Sequence, residues 1–265
     1  MMRIIIITSS RKGTASYCLP VILEKTDCDV VKVILNQNLQ KKKWPFYKKK
    51  LKKILRIGLL GALNGIRIRK WFKNDNIGET NIQDIESICK NRGIPFEITS
   101  TLNSQRTIDI VKNCAPDLGL SLGNSYISSK VFSIPRYGML NIHGEVLPDF
   151  QNAQSVIWQI FEGRSETGYT IHKIDKNIDT GDIIMQEKFP IVVKKDLPDT
   201  VKFNCSLIIQ RAADGLVKVL SDYNYYLQHS YKQGKGKSYT TPTFRQYLRI
   251  KQQFKKLSAL TRNAG

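Results

Sequence analysis

The sequence predicts an α/β protein: a doubly wound, mostly parallel twisted sheet carrying a basic helical insertion and a small C-terminal extension. Three observations predict it. Short β-branched runs alternate with segments of helical period, the pattern of an open sheet covered by helices. Hydrophobic residues make up 41% of the 265 positions, enough for a sizeable core. The net charge of +20 is concentrated in two stretches and leaves a near-neutral body.

Residues 3–8 (RIIIIT) form a β-branched run that ends at Ser9-Ser10-Arg11-Lys12-Gly13, a strand, loop and helix start. Residues 29–35 (DVVKVIL) predict a second strand. Residues 81–92 place apolar side chains at 82, 85 and 88, a helix closed by Gly93 and Pro95. A strand at 96–98, a helix at 107–114 and strands at 118–122 and 139–142 follow. A helix is expected at 154–162, strands at 169–174 and 183–189, and a long helix at 200–220. In such sheets ligands bind beyond the carboxyl ends of the strands.

Residues 41–73 hold thirteen Lys or Arg and no acid, and residues 223–265 hold nine and none. Twenty of the 42 basic residues remain against all 22 acids, so the rest of the chain carries about −2. No run approaches the ~20 apolar residues of a spanning helix. The opening apolar stretch is too short for a secretory leader and reads as a buried strand. The five cysteines, at 18, 28, 89, 114 and 205, lack CxxC pairing and form an odd set, as expected of reduced cytoplasmic thiols. No residues have metal-ligand spacing.

The chemistry lies in GMLNIHGEVLPDF (138–150) and GYTIHKIDKNIDTGDIIMQEKFPI (168–191). Asn141 and His143 stand two apart at a strand end, so they share a face. An Asn amide donates to a developing oxyanion without carrying charge. A His moves a proton near neutral pH. Asp179, in the loop with Thr180 and Gly181, offers a carboxylate to orient the imidazole. His172 is mid-strand and predicts a structural role; His229 predicts a surface one.

The residues Asn141-Ile142-His143-Gly144-Glu145-Val146-Leu147-Pro148, then Ile178-Asp179-Thr180-Gly181, resemble the 10-formyltetrahydrofolate-dependent formyltransferases. That family includes glycinamide ribonucleotide, methionyl-tRNA and sugar N-formyltransferases. Its pattern is Asn-x-His-x-Ser-Leu-Leu-Pro followed by Leu-Asp-x-Gly. The resemblance covers roughly 95–200 well and 1–35 weakly. It implies a Rossmann-like catalytic domain over 1–205, with an insertion at about 36–78, and a helical, basic extension over 206–265. It implies that Asn141 binds the formyl oxygen, that His143 stabilises the intermediate and moves the amine proton, and that Asp179 holds His143. It also implies that 10-formyltetrahydrofolate lies against Gly123-Asn124-Ser125-Tyr126-Ile127 and the 174–178 segment, including Ile174, Asp175 and Ile178. Glu145 replaces the family's Ser, and the 149–153 loop replaces a Gly-rich turn, so Glu145, Gln151 and Asn152 are acceptor-contact candidates. Ser10, Arg11 and Lys12 at the first helix start could hold an acceptor phosphate.

The acceptor implied is a small amine, an amino sugar on a nucleotide or lipid carrier in surface polysaccharide synthesis. Transfer to methionyl-tRNA is the alternative, opposed by the short C-terminal region. A non-catalytic membrane- or RNA-binding protein on the same scaffold is a third. Residues 48–66 carry apolar side chains at 51, 54, 55, 59, 62, 63 and 66 with lysines opposite, and Trp44, Phe46, Trp71 and Phe72 flank them. That face could pack on the body, meet an anionic membrane or lipid-linked substrate, or meet RNA phosphates. The localisation that follows is cytoplasmic, with a peripheral place at the inner membrane face as the alternative if the basic face meets a membrane. The segment 234–242 is expected to precede a basic helix and to help close the acceptor site.

Overall fold

The computed structural model describes residues 1–37, 44–72, 76–77, 80–152 and 154–263. In chain order the elements are β1 (Arg3–Thr8), α1 (Thr14–Lys25), β2 (Asp29–Asn36), α2 (Trp44–Trp71), β3 (Asn76–Ile77), β4 (Thr80–Asn81), α3 (Ile85–Asn91), β5 (Phe96–Thr99) and α4 (Gln105–Cys114). Then come β6 (Leu118–Ser121), α5 (Ser129–Phe132), β7 (Met139–His143), α6 (Ile157–Phe161), β8 (Glu166–Lys173), β9 (Ile183–Pro190), α7 (Leu197–Ser221), α8 (Tyr223–Gln228) and α9 (Phe244–Asn263).

Seven strands form one sheet in the order β5-β2-β1-β6-β7-β8-β9. The first five are parallel, and β8 and β9 add antiparallel. The chain leaves β1 towards β2 and β5, then crosses back to β6 and β7, so the winding reverses between β1 and β6. Strand alternation sends Ile4 and Ile6 into one hydrophobic layer and Ile5 and Ile7 into the other. All four are fully buried, as a parallel strand covered on both faces requires.

Local chemistry sets the boundaries that period alone misplaced. Asp84 caps α3 by accepting from the Glu86 amide, so the helix starts there rather than at 81. Asp196 caps α7 through the Asp199 amide, with Pro198 in the first turn, three residues before the expected start. Val156 sits at φ 69°, so α6 begins only at Ile157 instead of 154. The boundary expected at 205/206 falls inside α7. Tyr239, Tyr247 and Ile250 beyond it belong to the same buried layer as Tyr169 and Leu216.

The basic insertion packs on a face the helical period did not indicate. Its Lys41–Lys43 and Lys73 ends lie outside the described residues. Gly58 (φ 75°, ψ 164°) breaks α2. The stripe at 51, 55, 59, 63 and 66 is between 57% and 76% exposed. Burial falls instead on Ile57, Gly61, Asn64, Gly65, Ile68 and Trp71. Gly61 and Gly65 make this face because they have no side chain: a Cβ on Gly65 would stand 2.7 Å from Thr241 Cγ2, and one on Gly61 3.3 Å from the Phe244 amide. Trp71 closes the contact on Tyr247, with ring centroids 6.4 Å apart. Among the described residues, no helix is long and apolar enough to cross a membrane.

Candidate active site

A cavity of about 420 Å³ opens beyond the carboxyl ends of β6 and β7, beside the point where the winding reverses. Asn141, His143 and Asp179 line it together, as do Gly123, Asn124, Ser125, Tyr126, Ile174, Asp175 and Ile178. Ten candidate residues from three separate segments of the sequence therefore meet in one pocket. Ser121, Ile127, Ile142, Asn152, His172 and Asn177 complete its wall.

Two loops shape the pocket by hydrogen bonding. Asn124 Nδ2 donates to the Ile7 carbonyl at 2.6 Å and to Ser121 Oγ at 3.0 Å, and its Oδ1 accepts from Ser9 Oγ at 2.8 Å. It ties the ends of β1 and β6 across the reversal. Asp175 accepts from Thr180 Oγ1 at 2.7 Å and from the Asn177 amide at 3.0 Å, closing the loop that presents Asp179. Asp179 takes φ 55°, a left-handed conformation that Asp tolerates better than most residues.

The hydrogen bonds of His143 fix its tautomer. Its Nε2 lies 2.9 Å from the Phe150 carbonyl, which only accepts, so Nε2 carries the proton. Nδ1 then stands 3.7 Å from Asp179 Oδ2, beyond hydrogen-bond distance, a separation that becomes an ion pair only when the imidazole takes a second proton. Both side chains are nearly enclosed, at 11% and 13% exposure. The carboxylate is held from behind by the Asn152 amide at 2.9 Å, and Gln151 Nε2 donates to the Asp179 carbonyl at 3.3 Å.

His172 does more than fill the core. It is the antiparallel partner of Asn141 across β7 and β8, and it is buried. Its Nδ1 donates to the Lys173 carbonyl at 2.8 Å, so Nε2 is an acceptor and takes an N–H of Asn141 at 3.1 Å. Burial first, and then the neighbouring His143, hold its proton affinity below that of a free imidazole. A neutral His172 thus pins the amide of Asn141 and leaves that amide's second N–H for the cavity. The sequence carried no signal for this role, because it depends on the register that sets His172 opposite Asn141.

The acceptor-contact candidates are divided by the structure. Gln151 and Asn152 lie at the Asp179 loop, as above. Glu145 does not face the cavity. It is fully buried towards α7, and neither carboxyl oxygen has a hydrogen-bond partner among the described residues. Burial pushes its pKa well above the ordinary carboxylate value, against a weaker opposing influence of the Val156 backbone. The turn is fixed by its backbone instead, with Thr170 Oγ1 donating to the Glu145 carbonyl at 2.8 Å and accepting from the Leu147 amide at 3.1 Å. Ser10, Arg11 and Lys12 stand apart from the cavity wall. Ser10 Oγ donates to the Lys12 carbonyl, and the Arg11 guanidinium is engaged by Asp84 at 3.1 Å and Glu86 at 2.8 Å.

The segment 231–239 straps the 150–152 and 179–181 loops at the cavity. The Tyr239 amide donates to the Gln151 carbonyl at 2.9 Å, and the Gln151 amide to the Lys237 carbonyl at 2.9 Å. Tyr239 stacks on Phe150 at 5.5 Å and meets Trp158 at 4.6 Å. Gln233 Nε2 donates to the Gly181 carbonyl at 2.6 Å. Among the described residues, no cluster of three His, Cys, Asp or Glu could hold a metal ion.

Residues 85–204 match the family model described as formyl transferase. A GDP-perosamine N-formyltransferase of Brucella melitensis is 33% identical over 108 residues, 40% of this chain and 41% of that protein. A methionyl-tRNA formyltransferase of Clostridium acetobutylicum is 28% identical over 145 residues, 54% of this chain and 46% of that protein. These matches span less than half the length of either relative. Glycinamide ribonucleotide transformylase 1 from Symbiobacterium toebii superimposes with a TM-score of 0.58 at 16% identity, covering 89% of this chain and 92% of that one. An N-formyltransferase from Helicobacter canadensis, solved in complex with folinic acid and dTDP-3-aminofucose, superimposes with a TM-score of 0.52 at 18% identity, covering 90% of this chain and 71% of that one. The pocket residues all lie in the segment that matches the formyl transferase model, and the overall fold is the one these solved formyltransferases share.

Proposed function

We propose that this chain is an N-formyltransferase that moves a formyl group from 10-formyltetrahydrofolate to the amine of a nucleotide-linked amino sugar. The observation that carries the proposal is the convergence of Asn141, His143 and Asp179 on one cavity, with the His143 Nδ1 lone pair set against a buried carboxylate. We read this cavity as the folate site. Its walls are loop backbone at 123–127 and 174–178, and Tyr126 and Ile178, 50% and 54% exposed, offer apolar surface to a flat ring. When bound, the folate supplies a formyl group on nitrogen that an amine can attack.

Every other part of the chemistry falls to the chain. The free N–H of Asn141 lies where an oxyanion develops as the amine nitrogen adds to the formyl carbon, a donor worth on the order of 10²–10³-fold in rate. The proton leaving the amine passes to His143 Nδ1, the one ring nitrogen not already protonated. The imidazolium then stands beside Asp179, which the Asn152 amide keeps in place. Transfer of that proton to the departing nitrogen completes the exchange of one C–N bond for another. A panel of nucleotide-linked amino sugars, incubated with 10-formyltetrahydrofolate, tests this by mass spectrometry of the sugar. Transfer of a formyl group, lost in His143→Ala, supports it; no transfer to any amine sinks it. A charged methionyl-tRNA in the same panel separates the tRNA alternative.

A second reading concerns location. Leu51, Leu55, Leu59, Leu63 and Ile66 form an exposed apolar stripe on a basic helix, which suits an anionic bilayer surface. Sedimentation with phosphatidylserine vesicles, lost when Leu55 and Leu59 become Ser, supports that contact; no binding by the wild type removes it.

A further inference from the structure

A second cavity, of about 670 Å³, lies between α2, the loop after Phe150 and the segment joining the strap to α9. Lys52, Lys53, Arg56 and Arg69 line it, with Asn152 and Thr240 opposite, and no acid is among the described residues that line it. None of the four cations forms an ion pair with a described residue. Elsewhere Arg11, Lys25, Arg92, Arg106, Arg211 and Lys237 all do. Arg56 Nη2 is held by Thr240 Oγ1 at 2.9 Å, which aims the guanidinium rather than neutralising it. Partial burial, and secondarily the like charges of Arg69 and Arg56, hold the Lys53 ammonium below its ordinary pKa.

The fold builds this convergence. The break at Gly58 lets residues before and after it face one cavity, and the side-chain-free face at Gly61 and Gly65 draws in the 241–244 segment. Asn152 lines both cavities, and its amide grips Asp179. A ligand filling the second cavity therefore sits one residue from the catalytic carboxylate. Guanidinium and ammonium groups at close quarters select phosphate oxygens, by bidentate hydrogen bonds and by point charge respectively.

Resting on the formyl-transfer proposal, we infer that this cavity binds the diphosphate of the acceptor, so that the basic insertion is an acceptor site that aims the amine past Asn152 at His143. The chemistry is shared by a soluble nucleoside diphosphate and a lipid-linked diphosphate. The full chain is titrated calorimetrically with inorganic pyrophosphate, with GDP and dTDP, and with a polyprenyl diphosphate in detergent. Binding of pyrophosphate that weakens with salt, and weakens on the order of 10- to 100-fold in Lys53→Gln/Arg56→Gln, is expected. Lys53→Arg should keep most of it. In turnover the double variant should raise KM for the phosphorylated acceptor far more than it lowers kcat. Equal pyrophosphate affinity in wild type and a folded double variant, or none in either, overturns the inference. Tighter binding of nucleoside diphosphates identifies a soluble carrier; tighter binding of the polyprenyl form identifies a lipid one. Pyrophosphate binding without formylation of any amine would leave the site standing and remove the formyl-transfer proposal. Formylation with an unchanged KM in the double variant would do the reverse.

Discussion

Asp179→Asn removes one charge and little else. The amide keeps an oxygen to accept the Asn152 N–H, now 2.9 Å away, and it fits the left-handed backbone as Asp does. What is lost is the attraction between the carboxylate and the imidazolium formed when His143 Nδ1, 3.7 Å away, takes a proton. At an effective dielectric near 20 that attraction is about 4.5 kcal/mol. The Asn152 amide already draws off part of the carboxylate charge, so roughly half of it should appear in the barrier. A loss of ~2–3 kcal/mol corresponds to a roughly 30- to 150-fold fall in kcat. The assay is steady-state tetrahydrofolate release with saturating donor and acceptor, alongside a thermal melt to confirm folding. A folded Asp179→Asn enzyme with wild-type kcat would refute the assignment of Nδ1 as the proton acceptor.

His172→Gln should lower kcat by roughly fivefold, since an amide replaces the ring that pins Asn141 through one net hydrogen bond of ~1 kcal/mol. Because the folded-state pKa of His172 is depressed, its contribution is present above the unfolded pKa of 6.5 and lost as pH falls through the folded value; urea unfolding should show that acid-side loss in wild type and a flatter profile in the variant. Glu145 has the opposite sign: its folded pKa is raised, so its contribution is complete below about 4.5 and lost as pH rises towards the folded value. Glu145→Gln should remove that decline, as followed by denaturant midpoints between pH 5 and 8. Tyr239→Ala, which strips the ring from Phe150 and Trp158, should cost about 3–5 kcal/mol of stability and lower kcat as the Phe150 carbonyl loosens its hold on His143. Equilibrium unfolding and turnover check both effects.

The sheet was legible because its signals are local. Four consecutive isoleucines can only be a strand covered on both sides, and the apolar runs at 118–122 and 139–142 carry the same message. The pocket was legible where side chains do the chemistry, as at Asn141, His143 and Asp179. Elsewhere the backbone acts. The Phe150 carbonyl sets the His143 tautomer and the Asn152 amide holds Asp179, and no residue type announces either. Glu145 read as a contact because it stands where the resembled family has Ser, yet its side chain is fully buried away from the cavity. Of the alternatives for the insertion, packing through its apolar stripe fails for a related reason. Hydrophobic period assumes that large apolar residues pack, whereas α2 packs through Gly61 and Gly65, leaving its leucines outside and its cations around a cavity.

Transfer of the formyl carbon itself tests the central claim most directly. With 10-formyltetrahydrofolate labelled by ¹³C in the formyl group, the full chain should place the label on the sugar nitrogen of a nucleotide-linked amino sugar, read by ¹³C NMR of the product. His143→Ala should leave it on the folate. Label that remains on the folate with every amine offered, or that moves as fast in the His143→Ala variant, would contradict the account.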